Sequence, residues 1–159
     1  MKIALASDHR GVEIVRGLVD HLRQAGHEPA VLGDSSGQPC DYPDQAYLVA
    51  RAVAGGTADF GILVCGSGIG MSMAANKVPG IRAALAHDEF TAEMGRRHND
   101  ANVLCLSGDL STIQQARAMT DAFLGATFEG GRHARRVSKL TAIERGENPA
   151  DVKEGAVGG

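Results

Sequence analysis

The chain has 159 residues, of which 43% are hydrophobic and 22% charged, with a formal net charge of −3. That length suits one domain burying about two-thirds of its unfolded surface, and the near-balanced charge offers no basic field for nucleic acid. Cys40, Cys65 and Cys105 are too few and too widely spaced for a disulfide framework or a paired Cys-x-x-Cys metal site. Neither the short start Met1–Ser7, which turns charged at Asp8, nor any later apolar run reaches signal-peptide or membrane-helix length, so the expectation is a cytoplasmic protein with reduced thiols and no membrane contact.

Short apolar runs then alternate with segments of helical period. Lys2–Ala6 predicts a strand and Gly11–Gln24 a helix, with Val12, Val15, Leu18, Val19 and Leu22 on one stripe and Gly26 as its left-handed stop. Glu28–Leu32 reads as strand, Pro43–Ala54 as helix, Gly61–Cys65 as strand and Gly70–Lys77 as helix. Ile81–Ala86 and Val103–Ser107 continue as strands, and Asp88–Arg97 and Ser111–Leu124 as helices, the last capped by Ser111 with Ile113, Ala116, Met119 and Phe123 on its stripe. Gly130–Arg136 leads into a terminal helix ending near Arg145, and 147–159, rich in glycine, reads as a mobile tail after a single domain over 1–146.

Five strand–helix units favour a parallel sheet covered on both faces, with ligands bound beyond the carboxyl ends of the strands. Asp8-His9, Cys65-Gly66-Ser67 and His87-Asp88 each follow a strand and are expected there. Cys65, beside Gly66-Ser-Gly-Ile-Gly70, is the leading candidate: backbone N–H groups of such a turn can converge on an anion, although a free cysteine is equally at home as a small core residue. The turn is no nucleotide loop, since Met71 stands where a dinucleotide fingerprint needs glycine and no Gly-Lys-Ser/Thr follows.

Three further segments each carry two readings. Asp8 either caps the first helix or joins His9 in binding sugar hydroxyls and moving protons. Arg96-Arg97 suit a helix C-terminus, but His98-Asn99-Asp100-Ala-Asn102 is more polar than a helix end before a buried strand requires. Arg132 and Arg136, one helical turn apart with His133 beside them, make either a solvated basic face or a fork of donors for phosphate.

Taken in order, Asp8-His9-x-Gly11, Asp41-Tyr-Pro43, Gly66-Ser-Gly-Ile-Gly70, Ala74-Ala-Asn-Lys77, Gly80-Ile-Arg82, His98-Asn-Asp-Ala-Asn-Val103 and Gly130-Gly-Arg-His133 resemble the ribose-5-phosphate isomerase B family over about residues 2–146. The resemblance implies a Rossmann-like three-layer α/β/α fold with a five-stranded parallel sheet and a C-terminal helix. It further implies a homodimer with shared active sites, a further pairing to tetramers being open, and aldose–ketose exchange between ribose 5-phosphate and ribulose 5-phosphate through a cis-enediolate, with no cofactor and no metal. By position Cys65 is then the base; Ser67 assists at the enediolate oxygens; and N–H groups of Gly66, Ser67, Gly68, Ile69 and Gly70 form the anion hole. Asp8 binds hydroxyls, His98 opens the sugar ring with Asn99 beside it, and His9, Arg132, His133 and Arg136 hold phosphate, the last three from the partner.

A subgroup of that family carries a glutamate base one residue after the glycine loop, where this chain has Met71. Family members also act on four-carbon or six-carbon sugar phosphates, so erythrose 4-phosphate, allose 6-phosphate and galactose 6-phosphate stand as alternatives. Arg10 and the Asp34–Cys40 loop depart from commoner members. Outside the resemblance, a cysteine hydrolase using Cys65 and His98, and a sugar-phosphate-binding module without turnover, use the same residues.

Overall fold

Apolar residues on the three central strands face two ways, and this alternation builds the molecule. In the computed structural model, which describes residues 1–152, β1 (Lys2–Ser7), β2 (Glu28–Val31), β3 (Phe60–Cys65), β4 (Ala83–Leu85) and β5 (Val103–Ser107) form one parallel sheet in the order β2-β1-β3-β5-β4. Ile3, Leu5, Ile62, Val64, Leu104 and Leu106 point to one face, where α1 (Val12–Gln24), α4 (Glu89–Asn99) and α5 (Ile113–Gly125) cover them. Their neighbours in the period of two, Ala4, Ala6, Leu63, Cys65, Val103 and Cys105, point to the other, under α2 (Tyr42–Ala54) and α3 (Ile69–Ala75). The α/β/α layering and parallel sheet expected from the sequence are thus observed. None of the helices is long and apolar enough to cross a membrane among the described residues.

The remaining helix, α6 (Arg132–Glu144), lies outside these layers and rests on α4. A one-turn 3-10 helix, Pro149–Asp151, packs on α6, and the Lys139 ammonium donates to the Pro149 carbonyl at 2.7 Å. This turn falls inside the segment expected as a tail; residues 153–159 of that segment lie outside the described residues.

Several boundaries differ from the expected ones for local reasons. The fourth strand keeps only three residues, because Asn76 and Asn102 occupy the backbone groups on its approach. Asn76 accepts from the Ala83 N–H and donates to the Ala83 carbonyl, both at 2.9 Å; Asn102 accepts from the Arg82 N–H and donates to the Gly80 carbonyl, both at 2.8 Å. At the other edge, the Glu28 and Leu32 N–H groups donate to Met1 and Leu5, so Pro29, in the opposite phase, turns its missing donor outward.

Helix caps also correct the reading. The cap of α5 is Thr112, not Ser111: its hydroxyl accepts from the Gln115 N–H at 3.2 Å while the Gln115 side chain accepts from the Thr112 N–H at 2.9 Å. Thr112→Ala should therefore cost about 1 kcal/mol, and Ser111→Ala close to nothing. Urea denaturation checks this as a fall in the midpoint for the first variant alone, with the slope unchanged. Asp8 is not the cap of α1, which begins behind Gly11 without a side-chain cap.

Candidate active site

The strand order reverses at β1, whose two neighbours are β2 and β3, and a crevice opens beyond the carboxyl ends at such a point. Cys65 ends β3 there, 4% exposed, and its sulfur accepts the Gly68 N–H at 3.2 Å. The turn behind it is pinned to the end of β5: the Gly66 carbonyl accepts from the Ser107 hydroxyl at 2.6 Å and from the Asp109 N–H at 3.1 Å. Gly68 must be glycine, since it sits at φ +77° and a Cβ would lie 2.5 Å from Leu85 and 3.0 Å from the Leu106 backbone. Within the expected anion hole, two N–H groups are thus turned to the site's own side chains, Gly68 to the thiol and Ile69 to the exposed Ser67 hydroxyl at 3.3 Å.

Asp8, 7% exposed, borders the same crevice, and its carboxylate accepts the Arg10 N–H at 2.9 Å; His9 is exposed beside it. Arg10 then arches over Gly66 to Asp109, its Nε donating to both carboxylate oxygens at 2.8 and 2.9 Å. Asp109 was not singled out by sequence reasoning, because nothing in its own surroundings announces an ion pair 99 residues away. Tyr42 was also missed as a site residue: its ring lies so close to Gly70 that a Cβ there would sit 2.7 Å from it.

Cys105 and Cys40 both have their pKa raised. Burial, and more weakly Cys65 nearby, pushes Cys105 far above the ordinary thiol range. Cys40 is also raised, first by burial and then by Asp34, although the His9 N–H donates to it.

A second cluster forms elsewhere. His98 and His133 stack with ring centroids 4.1 Å apart and planes within 9°. Glu129 reaches both imidazole Nε2 atoms, at 3.6 and 3.7 Å, and accepts from Arg97 at 2.8 and 2.5 Å. His133, 5% exposed, has its pKa lowered by burial, then by His98 and Arg132, whose Nε lies 3.2 Å from its Nε2. Gly130 and Gly131, at φ +67° and +54°, make the reversal that brings α6 back against α4. His98, Glu129 and His133 offer ligand atoms within 4.8 Å of one another, but the guanidinium groups of Arg97 and Arg132 beside them make the field one for an anion rather than a cation.

The two clusters lie at opposite ends of the sheet, so within one chain His98 and Asn99 stand apart from Cys65. In a parallel sheet α4 must run back from the carboxyl end of β4 to the amino end of β5, and its 11 residues span about 16 Å. His98 and Asn99 close that helix and so stand at the amino end, with Arg132, His133 and Arg136 of α6 beside them. Two other polar residues are structural. Asp88 caps α4, accepting the Thr91 N–H at 2.7 Å, and Asp100 pairs with Arg82 at 2.7 Å and with Arg96.

The sequence pattern of the family described as Ribose/Galactose Isomerase matches residues 3–140. This chain belongs to that family. Among its relatives, Ribose-5-phosphate isomerase B of Escherichia coli is 46% identical over 147 residues, covering 92% of this chain and 99% of the relative. D-erythrulose-4-phosphate isomerase of Pectobacterium atrosepticum is 38% identical over 148 residues, covering 92% and 97%. The solved structure of Clostridium thermocellum Ribose-5-Phosphate Isomerase B superposes with a TM-score of 0.90 at 45% identity, covering 92% of this chain and 99% of that one. The ribose/galactose isomerase fold thus extends over all five strands and six helices described above.

Proposed function

We propose that this protein is an aldose–ketose isomerase that interconverts ribose 5-phosphate and ribulose 5-phosphate at a site shared by two chains. The observation that carries this reading is the division of the chemistry: a thiol and glycine turn at one end of the sheet, and an imidazole–arginine cluster at the other. Neither half suffices for a phosphorylated sugar, but a second copy can present its amino-end cluster to the first copy's crevice. Large apolar side chains around that crevice support the apposition: Ile69, Phe90 and Leu110, at 47%, 68% and 72% exposure, follow β3, β4 and β5, and Met73 lies one turn beyond Ile69.

In the complete site, phosphate meets His9 of one chain and Arg132, His133 and Arg136 of the other. His98 takes the proton of the anomeric hydroxyl as the ring C–O bond breaks, C1=O forms and water protonates the ring oxygen, with Asn99 and Asp8 holding hydroxyls. Cys65, as thiolate, then removes the C2 proton to give the cis-enediolate and returns it to C1. Ser67 relays a proton between the two enediolate oxygens. With the Gly68 and Ile69 N–H groups engaged by the thiol and the Ser67 hydroxyl, those of Gly66, Ser67 and Gly70 stabilise the charge developing on oxygen more than they stabilise the neutral carbonyl. Free thiols suit a reducing compartment, and we assign the reaction to the cytoplasm.

The relative named for a four-carbon substrate supports a second reading, in which the pocket takes a shorter sugar phosphate. One methylene alters discrimination by only about 1–3 kcal/mol, so the two readings require measurement. A panel of kcat/KM values over ribose 5-phosphate, erythrose 4-phosphate, allose 6-phosphate, galactose 6-phosphate and unphosphorylated ribose should be highest for the first. Preference for another phosphorylated sugar rejects the pentose assignment. Tight binding without turnover identifies a binding module, and an acyl-enzyme formed with an activated carboxylic ester and seen by mass spectrometry identifies a hydrolase.

A further inference from the structure

Glu129 has no part in the reaction as described, yet it is the carboxylate that both stacked imidazoles share. Its backbone N–H donates to the Arg97 carbonyl at 3.0 Å, so the residue is tied to the last turn of α4 by main chain and side chain together. Around it stand Glu93, Arg97 and His98 on α4 and Arg132, His133 and Arg136 on α6. Two parallel rings at 4.1 Å do not both carry a proton readily, since like charges at that distance oppose one another. The Nε2 of His133 faces the Nε of Arg132, a donor, which selects the neutral tautomer with the proton on Nδ1. With that nitrogen engaged by Arg132, the Glu129 carboxylate at 3.6 Å is the group that faces the Nε2 of His98.

We infer that Glu129 is a positioning residue of the isomerase, holding the His98 ring against His133 in the orientation from which it accepts the anomeric proton. The inference rests on the proposed isomerase reading and on the role given to His98 in it. It makes Glu129 and Arg97 one device: the guanidinium fixes the carboxylate, and the carboxylate faces the ring.

Glu129→Ala removes the contact, Glu129→Gln keeps the shape and an acceptor oxygen, and Arg97→Gln removes the group that fixes the carboxylate. Three measurements on the full chain read the result. They are kcat/KM for ribose 5-phosphate, the NMR ring-current shifts of the two stacked histidine rings, and exchange of the C1 hydrogen of ribulose 5-phosphate in D2O. The last starts from an acyclic ketose and needs no ring opening. In E129A kcat/KM for the cyclic aldose should fall by about tenfold or more with loss of the stacked-ring shifts, and E129Q and R97Q should fall between E129A and the unmodified protein. Exchange should persist in all three variants.

Turnover of the aldose unchanged in E129A, or exchange lost in proportion to turnover, overturns the role of Glu129. Should E129A not fold, E129Q decides by the same ratio of turnover to exchange. Absence of exchange in the unmodified protein overturns the isomerase reading instead, so the two failures are distinct.

Discussion

Cys65→Ala is expected to abolish isomerisation in a protein that remains folded. The residue is nearly buried at the end of β3, but alanine fills most of the space of a thiol and leaves the backbone hydrogen bonds of strand and turn in place, losing only the one that the sulfur accepts from the Gly68 N–H. Chemically nothing replaces it. Met71 has no proton-accepting group, the Ser67 hydroxyl is far too weak a base, and Cys105 lies in the core with its thiol held protonated. A positioned base contributes about 10²–10⁴-fold, and that loss should appear in turnover and in exchange of the ribulose 5-phosphate C1 hydrogen alike, with an unchanged circular dichroism spectrum. Turnover near that of the unmodified protein would exclude Cys65 as the base.

Arg136→Ala should weaken binding of phosphorylated sugars by roughly 2–4 kcal/mol and leave the fold unaffected, since the side chain is exposed on α6 in a single chain. The loss should appear in KM and in direct titration with inorganic phosphate, and equal activity on ribose and ribose 5-phosphate would defeat the assignment. Because Arg136 and Cys65 stand at opposite ends of one sheet, the two impaired variants are also expected to complement at substrate concentrations too low to saturate Arg136→Ala. In a mixed dimer one site draws both its thiol and its arginine from unmodified positions, so statistical mixing restores roughly a quarter of full activity. No recovery after verified exchange of subunits would show that each site is built within one chain.

The sheet, its central strands and the helix stripes were legible in the sequence because burial on two faces writes a strong pattern. Ile3, Leu5 and Leu104 against Ala4, Leu63 and Cys105 alternate as such a sheet requires. The short β4 was overextended because Ile81 and Arg82 continue an apolar-edged run, whereas the side chains that stop the strand, Asn76 and Asn102, come from other parts of the chain. Ser111 and Thr112 are both good caps, and only the reciprocal bond with Gln115 separates them.

Within the site, Cys65 and its glycine turn could be read locally, since contiguous residues make them. Pairings such as Arg10–Asp109, Tyr42 over Gly70 and Glu129 between two imidazoles depend on which loops meet, and no local spacing encodes that. The same limit explains why His98 was expected in the crevice of its own chain: helix direction, not residue type, decides to which end of the sheet it belongs.

The two edges of the sheet have a bearing on how this protein behaves at high concentration. Pro29 withholds a donor from the outer side of β2, and β4 is only three residues long with asparagine side chains fastened to its approach. Such edges are poor templates for a further strand. Copies that meet are therefore steered away from open-ended ladders, in which each molecule recruits the next without limit, and toward closed contacts between helices and loops. For the shared-site dimer proposed above, the same edges guard against the form of self-association that never ends.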